Sequence, residues 1–149
     1  MIELRWVTHE DPCMRDVTDL RWEVLMAPFG VSRDDNWHDD DPHSHHLVAV
    51  EDGRVIGYSR LIEDGGAGQI RQVVVAFDRQ RAGIGSAMLA ETVTKARELG
   101  LDPVFLHART RAETFYQRLG FVTASETPFP YGRTGQPHVR MEIRGGGDD

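Results

Sequence analysis

The sequence predicts a single α/β (α+β) domain in which helices flank a mixed, largely antiparallel central sheet. Three observations predict this fold class. The 149 residues are enough for one domain with a hydrophobic core and too few for two comfortable domains. Strand-like segments follow one another along the chain, with helix-like segments between some of them. One strand–helix–strand unit needs a crossover connection, so its two strands should be parallel.

The N-terminal half begins with a strand, a helix and a β-hairpin. Residues 2–8 alternate apolar and polar side chains, which is the period of a half-buried strand. From Asp11, apolar residues fall on one helical face until "APFG" ends the helix. Residues 46–63 form two β-rich runs around Asp52-Gly53, a pair that supplies the positive φ angles of a tight turn.

The C-terminal half contains the crossover unit. Residues 69–77, "QIRQVVVAF", predict a central strand, and residues 84–99 predict an amphipathic helix that ends before Gly100. The later predicted elements are a strand at 103–108, a short helix at 111–119 and closing strands in "FVTAS" and "HVRMEI". We expect the domain to span 1–144 and "GGGDD", 145–149, to be a disordered tail.

Composition limits the partners and the compartment. Seventeen Lys and Arg against 24 Asp and Glu give a net charge of −7, which disfavours nucleic acid and anionic membranes as partners. Cys13 is the single cysteine, so an intrachain disulfide cannot form. No signal peptide or membrane-spanning run is evident. We therefore expect a soluble, cytoplasmic protein, with a homodimer as the commonest closed assembly.

Residues 79–89, "RQRAGIGSAML", predict an anion site at the start of a helix. A helix N-terminus presents N–H groups without helical partners, and glycines let a ligand approach the backbone closely. A nucleotide P-loop would need a Lys after Gly85, and a dinucleotide-binding loop would need a glycine where Met88 stands. The remaining pattern, [RQ]-x-x-G-x-[GA], is satisfied by Gln80, Gly83 and Gly85.

A second motif gives this loop a family context. Residues 112–121 read "AETFYQRLGF", with an aromatic-Tyr pair on a short helix followed by Gly-Phe. Together with the glycine loop upstream, this segment resembles the GNAT superfamily of acetyl-CoA-dependent N-acetyltransferases over about 69–121. "LRWEVLMAPFG", the hairpin and "GQPHVRMEI" are similar to the ElaA-like branch of that superfamily.

The resemblance implies acetyl-CoA as cosubstrate and no metal. The glycine loop would bind the coenzyme A pyrophosphate through backbone N–H groups, and the preceding strand would pair with the pantetheine arm. The acceptor would be a primary amine of a small molecule or peptide, attacking directly in a ternary complex. The implied cofactor-binding residues are Val73, Val74, Val75, Gln80, Arg81, Ala82, Gly83, Ile84, Gly85, Ser86, Arg109, Phe115 and Tyr116.

The reaction needs an acid and a base. Tyr116 matches the position of the family's usual general acid, which serves the departing thiolate. An alkyl ammonium near pKa 10 must lose a proton before it attacks. Many relatives carry a glutamate on the strand before the glycine loop, but Gln69 and Arg71 stand here, and neither accepts a proton. The candidate bases are His107, His138 and Glu113, the last acting through water.

Two further features bear on the ligands. Arg109 replaces the asparagine or glutamine often found at this strand end in the family, which would alter coenzyme contacts or select an acidic acceptor. Residues 38–46, "HDDDPHSHH", could ligate a metal, although they match no closed zinc spacing. As a substrate-side loop they would instead favour cationic amines, and a solvated loop that binds nothing is the third reading. Because the usual glutamate is missing, an acyl-CoA-binding sensor and a catalytically inactive protein of the same fold stay open as alternatives.

Overall fold

A computed structural model describes residues 2–32, 44–80, 82–131 and 135–144. Within them the helices are α1 (Met14–Arg21), α2 (Ile84–Glu98) and α3 (Glu113–Arg118). The strands of the same ranges are β1 (Ile2–Val7), β2 (His45–Glu51), β3 (Arg54–Asp64), β4 (Ala67–Val75), β5 (Val104–Arg109), β6 (Val122–Thr123), β7 (Phe129–Tyr131) and β8 (Gln136–Ile143). They form one sheet in the order β1-β2-β3-β4-β5-β8-β6, and β7 also pairs with β8.

The predicted fold class is confirmed. Strand pairs are antiparallel except for β4 and β5, which are parallel and joined through α2, as a crossover requires. The hairpin turn has φ 52° at Asp52 and φ 78° at Gly53, and α2 ends before Gly100 at φ 76°. No helix in the described ranges is long and apolar enough to cross a membrane.

Helices α1 and α2 cover opposite faces of the sheet. Tyr58 of β3 lies under α1, with the Arg21 guanidinium 5.6 Å from its ring centroid. The preceding residue, Gly57, faces α2, because a Cβ atom added there would lie 2.7 Å from the sulfur of Met88. Since successive strand residues point to opposite faces, the two helices are on opposite sides. A larger residue at position 57 would therefore have to displace the Met88 side chain.

Three elements differ from the sequence prediction. The predicted helix from Asp11 is α-helical only over α1 and continues as a π turn (Trp22–Met26) and a 3₁₀ turn (Ala27–Phe29). The Ala27 N–H bonds back to the carbonyl of Trp22, which widens the coil, and Gly30 at φ 75° ends it. The central strand ends at Val75 rather than at 77. Strand β7 was not predicted, because three residues centred on a proline resemble a turn.

A gap opens between β4 and β5. They pair only over Gly68–Ile70 and Val104–Leu106, and beyond that point the two strands run on without pairing. On the other side of β4, the register with β3 shifts between Tyr58 and Arg60, opposite Gln72, which has φ 57°. The side chain of Gln72 accepts a hydrogen bond from the buried Arg21 of α1 at 3.1 Å. Helix α1 is thereby tied to the bulge that borders the gap.

Strands β5 and β8 have two contrasting faces. Alternate residues enter the core under α2 and α3, and we call this set the apolar face: Leu106, Ala108, Val139 and Met141. The intervening residues point the other way, and we call this set the polar face: His107, Arg109, His138 and Arg140. The polar face borders the gap between β4 and β5.

Candidate active site

The N-terminus of α2 is an open anion cradle. Gly83 is its N-cap residue at φ 80°, and no side chain caps the helix. The first helical bond from this residue runs from the Ala87 N–H to the Gly83 carbonyl at 3.1 Å. The N–H groups of Ile84, Gly85 and Ser86 therefore have no acceptor within the helix. Together with the helix dipole, they favour a bound anion such as a phosphate.

The glycine loop is held against the end of β4. Gln80 donates its side-chain N–H to the Val75 carbonyl at 3.0 Å. A Cβ atom added at Gly85 would lie 3.6 Å from the ring of Phe115 and 3.8 Å from Val75, which are ordinary contacts. Ala82 is exposed, whereas Arg81 lies outside the described residues. The predicted loop residues that the structure describes therefore surround the α2 N-terminus.

Strand β4 presents backbone groups to the gap. The Ala76 N–H donates to the Ile56 carbonyl of β3 at 2.8 Å. Hydrogen bonding alternates along an antiparallel ladder, so Val74 faces β3 as well and the backbone of Val75 faces away from it, into the gap. The bond from Gln80 to the Val75 carbonyl agrees with this direction.

A cavity of about 460 Å³ occupies the gap. Its polar lining residues within the described chain are Gln69, Arg71, Gln72, Gln80, His107, Arg109, Arg111, Tyr116, Tyr131 and His138. Aliphatic side chains from the π turn, β4 and β5, together with Phe77 and Ala112, complete the wall. Three arginines and two histidines line this cavity, and none of its described lining residues is Asp or Glu.

Tyr116 brings a protonated phenol to the cavity. Its ring packs on Phe115 and Phe121, at centroid distances of 5.1 and 6.0 Å. Burial raises the pKa of Tyr116 to about 12, although the nearby charge of Arg109 acts in the opposite direction. The hydroxyl makes no hydrogen bond with the described residues, and at neutral pH it keeps its proton and can donate it to a ligand.

His138 is oriented as a base. Its Nδ1 atom lies 2.5 Å from the Gln136 carbonyl oxygen. A carbonyl can only accept, so Nδ1 carries the proton and the neutral ring keeps its lone pair on Nε2. Burial lowers the pKa of His138, and the charge of Arg109 lowers it further, against the raising effect of the Gln136 carbonyl. The imidazole is therefore neutral at pH 7.

His107 lies in an aromatic surrounding. Its ring is 4.2 Å from the ring centroid of Tyr131 and 5.3 Å from that of Phe129. The buried Nδ1 atom has no hydrogen-bond partner among the described residues. Burial lowers the pKa of His107, as do the charges of Arg140, His138 and Arg71. His107 is thus a second neutral imidazole in the cavity, with a less defined orientation than His138.

Glu113 is placed apart from the other two candidate bases. Its carboxylate accepts a short hydrogen bond from the Thr123 hydroxyl of β6. It does not belong to the described lining of the cavity. Its role as a base through water stays a prediction, with less geometric support than that of His138.

Sequence reasoning missed Tyr131 as a cavity residue. Its hydroxyl accepts a hydrogen bond from the Gln69 side chain at 3.3 Å, and the Arg71 guanidinium lies 5.9 Å from its ring. The alternation of Phe129 and Tyr131 around Pro130 was the available signal for this short aromatic strand. Gln69 and Arg71 do line the cavity at the positions where the family glutamate was sought.

The segment 38–46 is described only from Ser44, and its first six residues lie outside the described ranges. His45 Nε2 lies 2.8 Å from the Glu63 carboxylate. His46 is fully buried, with Nδ1 2.5 Å from the Tyr58 hydroxyl. These two histidines are engaged within the sheet, and the expectation that the segment contacts the acceptor stays untested.

Solved structures of known proteins share this fold. A crystal structure of an acyl-CoA N-acyltransferase from Pseudomonas aeruginosa matches with a TM-score of 0.80 and 27% identity, covering 96% of this chain and 99% of that one. Escherichia coli ElaA matches with a TM-score of 0.83 and 20% identity, covering 95% and 99%. The paia N-acetyltransferase from Thermoplasma acidophilum, solved in complex with coenzyme A, matches with a TM-score of 0.75 and 15% identity, covering 97% and 99%.

Residues 14–121 match the Acetyltransferase (GNAT) family, a range that runs from the start of α1 to the Gly-Phe pair after α3. It includes both motifs on which the predicted resemblance depends. The cradle at α2, the gap between β4 and β5 and the Tyr116 helix all lie inside it. The chain therefore belongs to the GNAT family of acetyltransferases.

Proposed function

We propose that this protein transfers the acetyl group of acetyl-CoA to a primary amine. One observation carries the proposal: the anion cradle at α2 and the protonated phenol of Tyr116 lie beside one cavity, whose lining extends from Gln80 to Tyr116. The cradle would bind the phosphates of a coenzyme, and the phenol would donate to a departing thiolate. The coenzyme A complex of the paia N-acetyltransferase supports the same ligand for this fold.

The residues fit a bound coenzyme. The free N–H groups of Ile84, Gly85 and Ser86 would hold the pyrophosphate, with Gln80 at the edge. The backbone of Val75 would pair with an amide of the pantetheine arm. Acetyl-CoA supplies an activated thioester. A carbonyl oxygen has two lone pairs, so the existing bond from Gln80 leaves the Val75 carbonyl able to accept another.

Two residues would carry out the proton transfers. His138 would accept the ammonium proton of the acceptor at Nε2, because its Nδ1 proton is held by the Gln136 carbonyl. Tyr116 would donate a hydrogen bond to the sulfur as the thiolate departs. Both side chains line the same cavity. In this arrangement the histidine takes over the role of the glutamate that Gln69 and Arg71 replace.

The experiment measures release of the coenzyme A thiol. The protein is mixed with acetyl-CoA and a panel of polyamines, aminoglycosides, amino acids and peptides, and acetylated product is identified by mass spectrometry. Cys13 is the only thiol in the chain, and burial raises its pKa to about 11, so its background reaction is slow. The Cys13→Ser variant removes this background entirely.

Two outcomes separate the alternatives. Amine-dependent thiol release with a matching acetylated product supports acetyl transfer. Tight coenzyme binding without release above the hydrolysis blank, for any amine, would instead support an acyl-CoA-binding sensor. That second candidate is favoured by one observation, the presence of Gln69 and Arg71 where a base is usual.

A further inference from the structure

We propose that the acceptor is a free α-amino acid, whose carboxylate is bound by Arg109 while its amine lies beside His138. This inference rests on the proposed acetyl transfer and names the substrate class for it. It is carried by three features of the cavity: its charge, the fixed position of the Arg109 guanidinium, and the pairing of Arg109 with His138 across two strands.

The charge of the cavity is opposite to that of the chain. The protein has a net charge of −7, yet Arg109 and Arg111 both line the cavity and no carboxylate does among its described lining residues. A cation removed from water is costly unless an anion accompanies it. An anionic group on the ligand would complement this lining, whereas a polyamine would meet like charge.

Arg109 is held in place by contacts that leave its charge uncompensated. One terminal nitrogen donates to the Leu25 carbonyl at 3.3 Å, and the guanidinium lies 4.5 Å from the ring centroid of Phe29. No Asp or Glu of the described ranges pairs with it. Burial and the neighbouring Arg111 both lower the pKa of Arg109, as expected for a cation without an anionic partner. A guanidinium of fixed orientation suits bidentate binding of a carboxylate.

The position of Arg109 points to an α-amino acid in particular. Arg109 and His138 are direct cross-strand partners on the polar face. Such partners have Cβ atoms about 4.5–5.5 Å apart, and both side chains leave the sheet on the same side. In an α-amino acid one carbon joins the carboxylate to the amine. A carboxylate on Arg109 would therefore hold the amine one carbon away, on the face of the sheet that His138 shares.

Arg109 is also close to the other proton-transferring group. Its charge acts on the phenol of Tyr116 as well as on the imidazole of His138, lowering the pKa of each. An anion bound by Arg109 would thus lie within electrostatic reach of both groups.

The coenzyme phosphates have a different site. The cradle is at the N-terminus of α2, and α2 covers the apolar face of β5 through Leu89 and Val93. Arg109 is on the opposite face, packed against the segment after α1. The sequence left two roles open for Arg109, acceptor binding and coenzyme binding. Its position favours acceptor binding.

The test compares each amino acid with two analogues that keep its amine and lack its carboxylate charge. L-Phenylalanine, for example, is compared with L-phenylalaninamide and phenethylamine, and the other standard amino acids are treated likewise. Turnover is measured by thiol release, and binding by calorimetric titration of the protein saturated with coenzyme A. Because hydrogen bonds to a charged partner are strong, we expect the kcat/KM and the affinity of a preferred amino acid to exceed those of both analogues about tenfold to a hundredfold.

Variants assign this preference to Arg109. Arg109→Gln should raise the Kd and KM for the amino acid at least about tenfold, remove the preference over the amide and leave the Kd for coenzyme A unchanged. Arg109→Lys should recover part of the preference. Arg140→Gln is the matched control, because Arg140 is on the same face but already pairs with Glu142 at 2.8 Å. It should leave the preference intact.

Several results would overturn the proposal. The first is that the amides and decarboxylated amines are used as well as the amino acids or better. The second is that no free amino acid binds. The third is that Arg109→Gln loses affinity for coenzyme A and not for the amino acid. If no amine is acetylated, acetyl transfer is refuted, whatever the titrations show. The titrations would still decide carboxylate selectivity, so the failures of the two proposals are distinguishable.

Discussion

The two faces of β5 and β8 come from alternate residues of the same strands, yet they differ in almost every property. The apolar face is buried under α2 and α3, and each of its four side chains is at most 5% exposed. On the polar face, two neutral imidazoles and the Arg109 guanidinium line the cavity, and the Arg140 guanidinium pairs with Glu142. Neighbouring positions in one strand therefore separate stability from chemistry. Substitutions one residue apart should have separable effects.

The largest effect is expected on the apolar face. Leu106→Ala should reduce the free energy of unfolding by about 2–5 kcal/mol, because it leaves a cavity in a packed core. Unfolding in urea, followed by circular dichroism, measures this change. His107→Ala is the matched control on the next residue. It should cost about 1 kcal/mol or less, since it also removes a buried nitrogen without a hydrogen-bond partner.

Equal destabilisation by these two substitutions would contradict the division between the faces. A large loss at His107 would mean that the polar face also belongs to the structural core. In that case the polar residues next to His107 would have to be reconsidered as packing groups rather than as ligands of a substrate.

The next largest effect is expected at Tyr116, where the two sides of the sheet meet at the cavity. Tyr116→Phe removes the hydroxyl and keeps the ring contacts with Phe115 and Phe121. We expect kcat to fall about 100-fold or more, because a general acid contributes about 10²–10⁴. The unfolding free energy and the Kd for coenzyme A should hardly change. Tyr131→Phe is the control on the same cavity, and wild-type kcat in Tyr116→Phe would exclude the phenol from the mechanism.

Much of this architecture could be predicted from local sequence. The alternation in β1, the Asp52-Gly53 turn and the glycines before α2 each reflect a short-range rule, and the structure has these elements at the expected places. The family motif likewise lies within contiguous residues. Local periodicity is sufficient wherever backbone geometry alone decides the element.

The remainder depends on contacts between distant residues. Arg21 meets Gln72 across 51 positions, and Arg109 meets the Leu25 carbonyl across 84. The Nδ1 proton of His138 is fixed nearby, by the Gln136 carbonyl in the same strand, but no sequence pattern specifies which ring nitrogen this carbonyl contacts. The candidate bases could be named from sequence, but choosing among them requires knowing which nitrogen faces the cavity.

A moderate effect is expected at His138, on the polar face. The deprotonated imidazole is the base, and burial holds its pKa below 6.5. With saturating acceptor, kcat should therefore rise with pH through a value below 6.5, and the phenol, at about 12, should cause no loss up to about pH 10. His138→Gln should lower kcat at least about tenfold at pH 7 and remove this rise. His107→Gln should retain it, and the opposite result would assign the base to His107.

The smallest effect is expected at Glu113, on the α3 side of the sheet. Gln can still accept the Thr123 hydrogen bond, so Glu113→Gln removes the charge and keeps the contact. Because the described cavity lining does not include Glu113, we expect kcat to stay within about threefold of wild type, well below the effect of losing a general base. The pH–rate profiles of the two proteins should coincide. A tenfold loss together with a displaced acid limb would place proton removal at α3, through water, and would take that step away from the polar face.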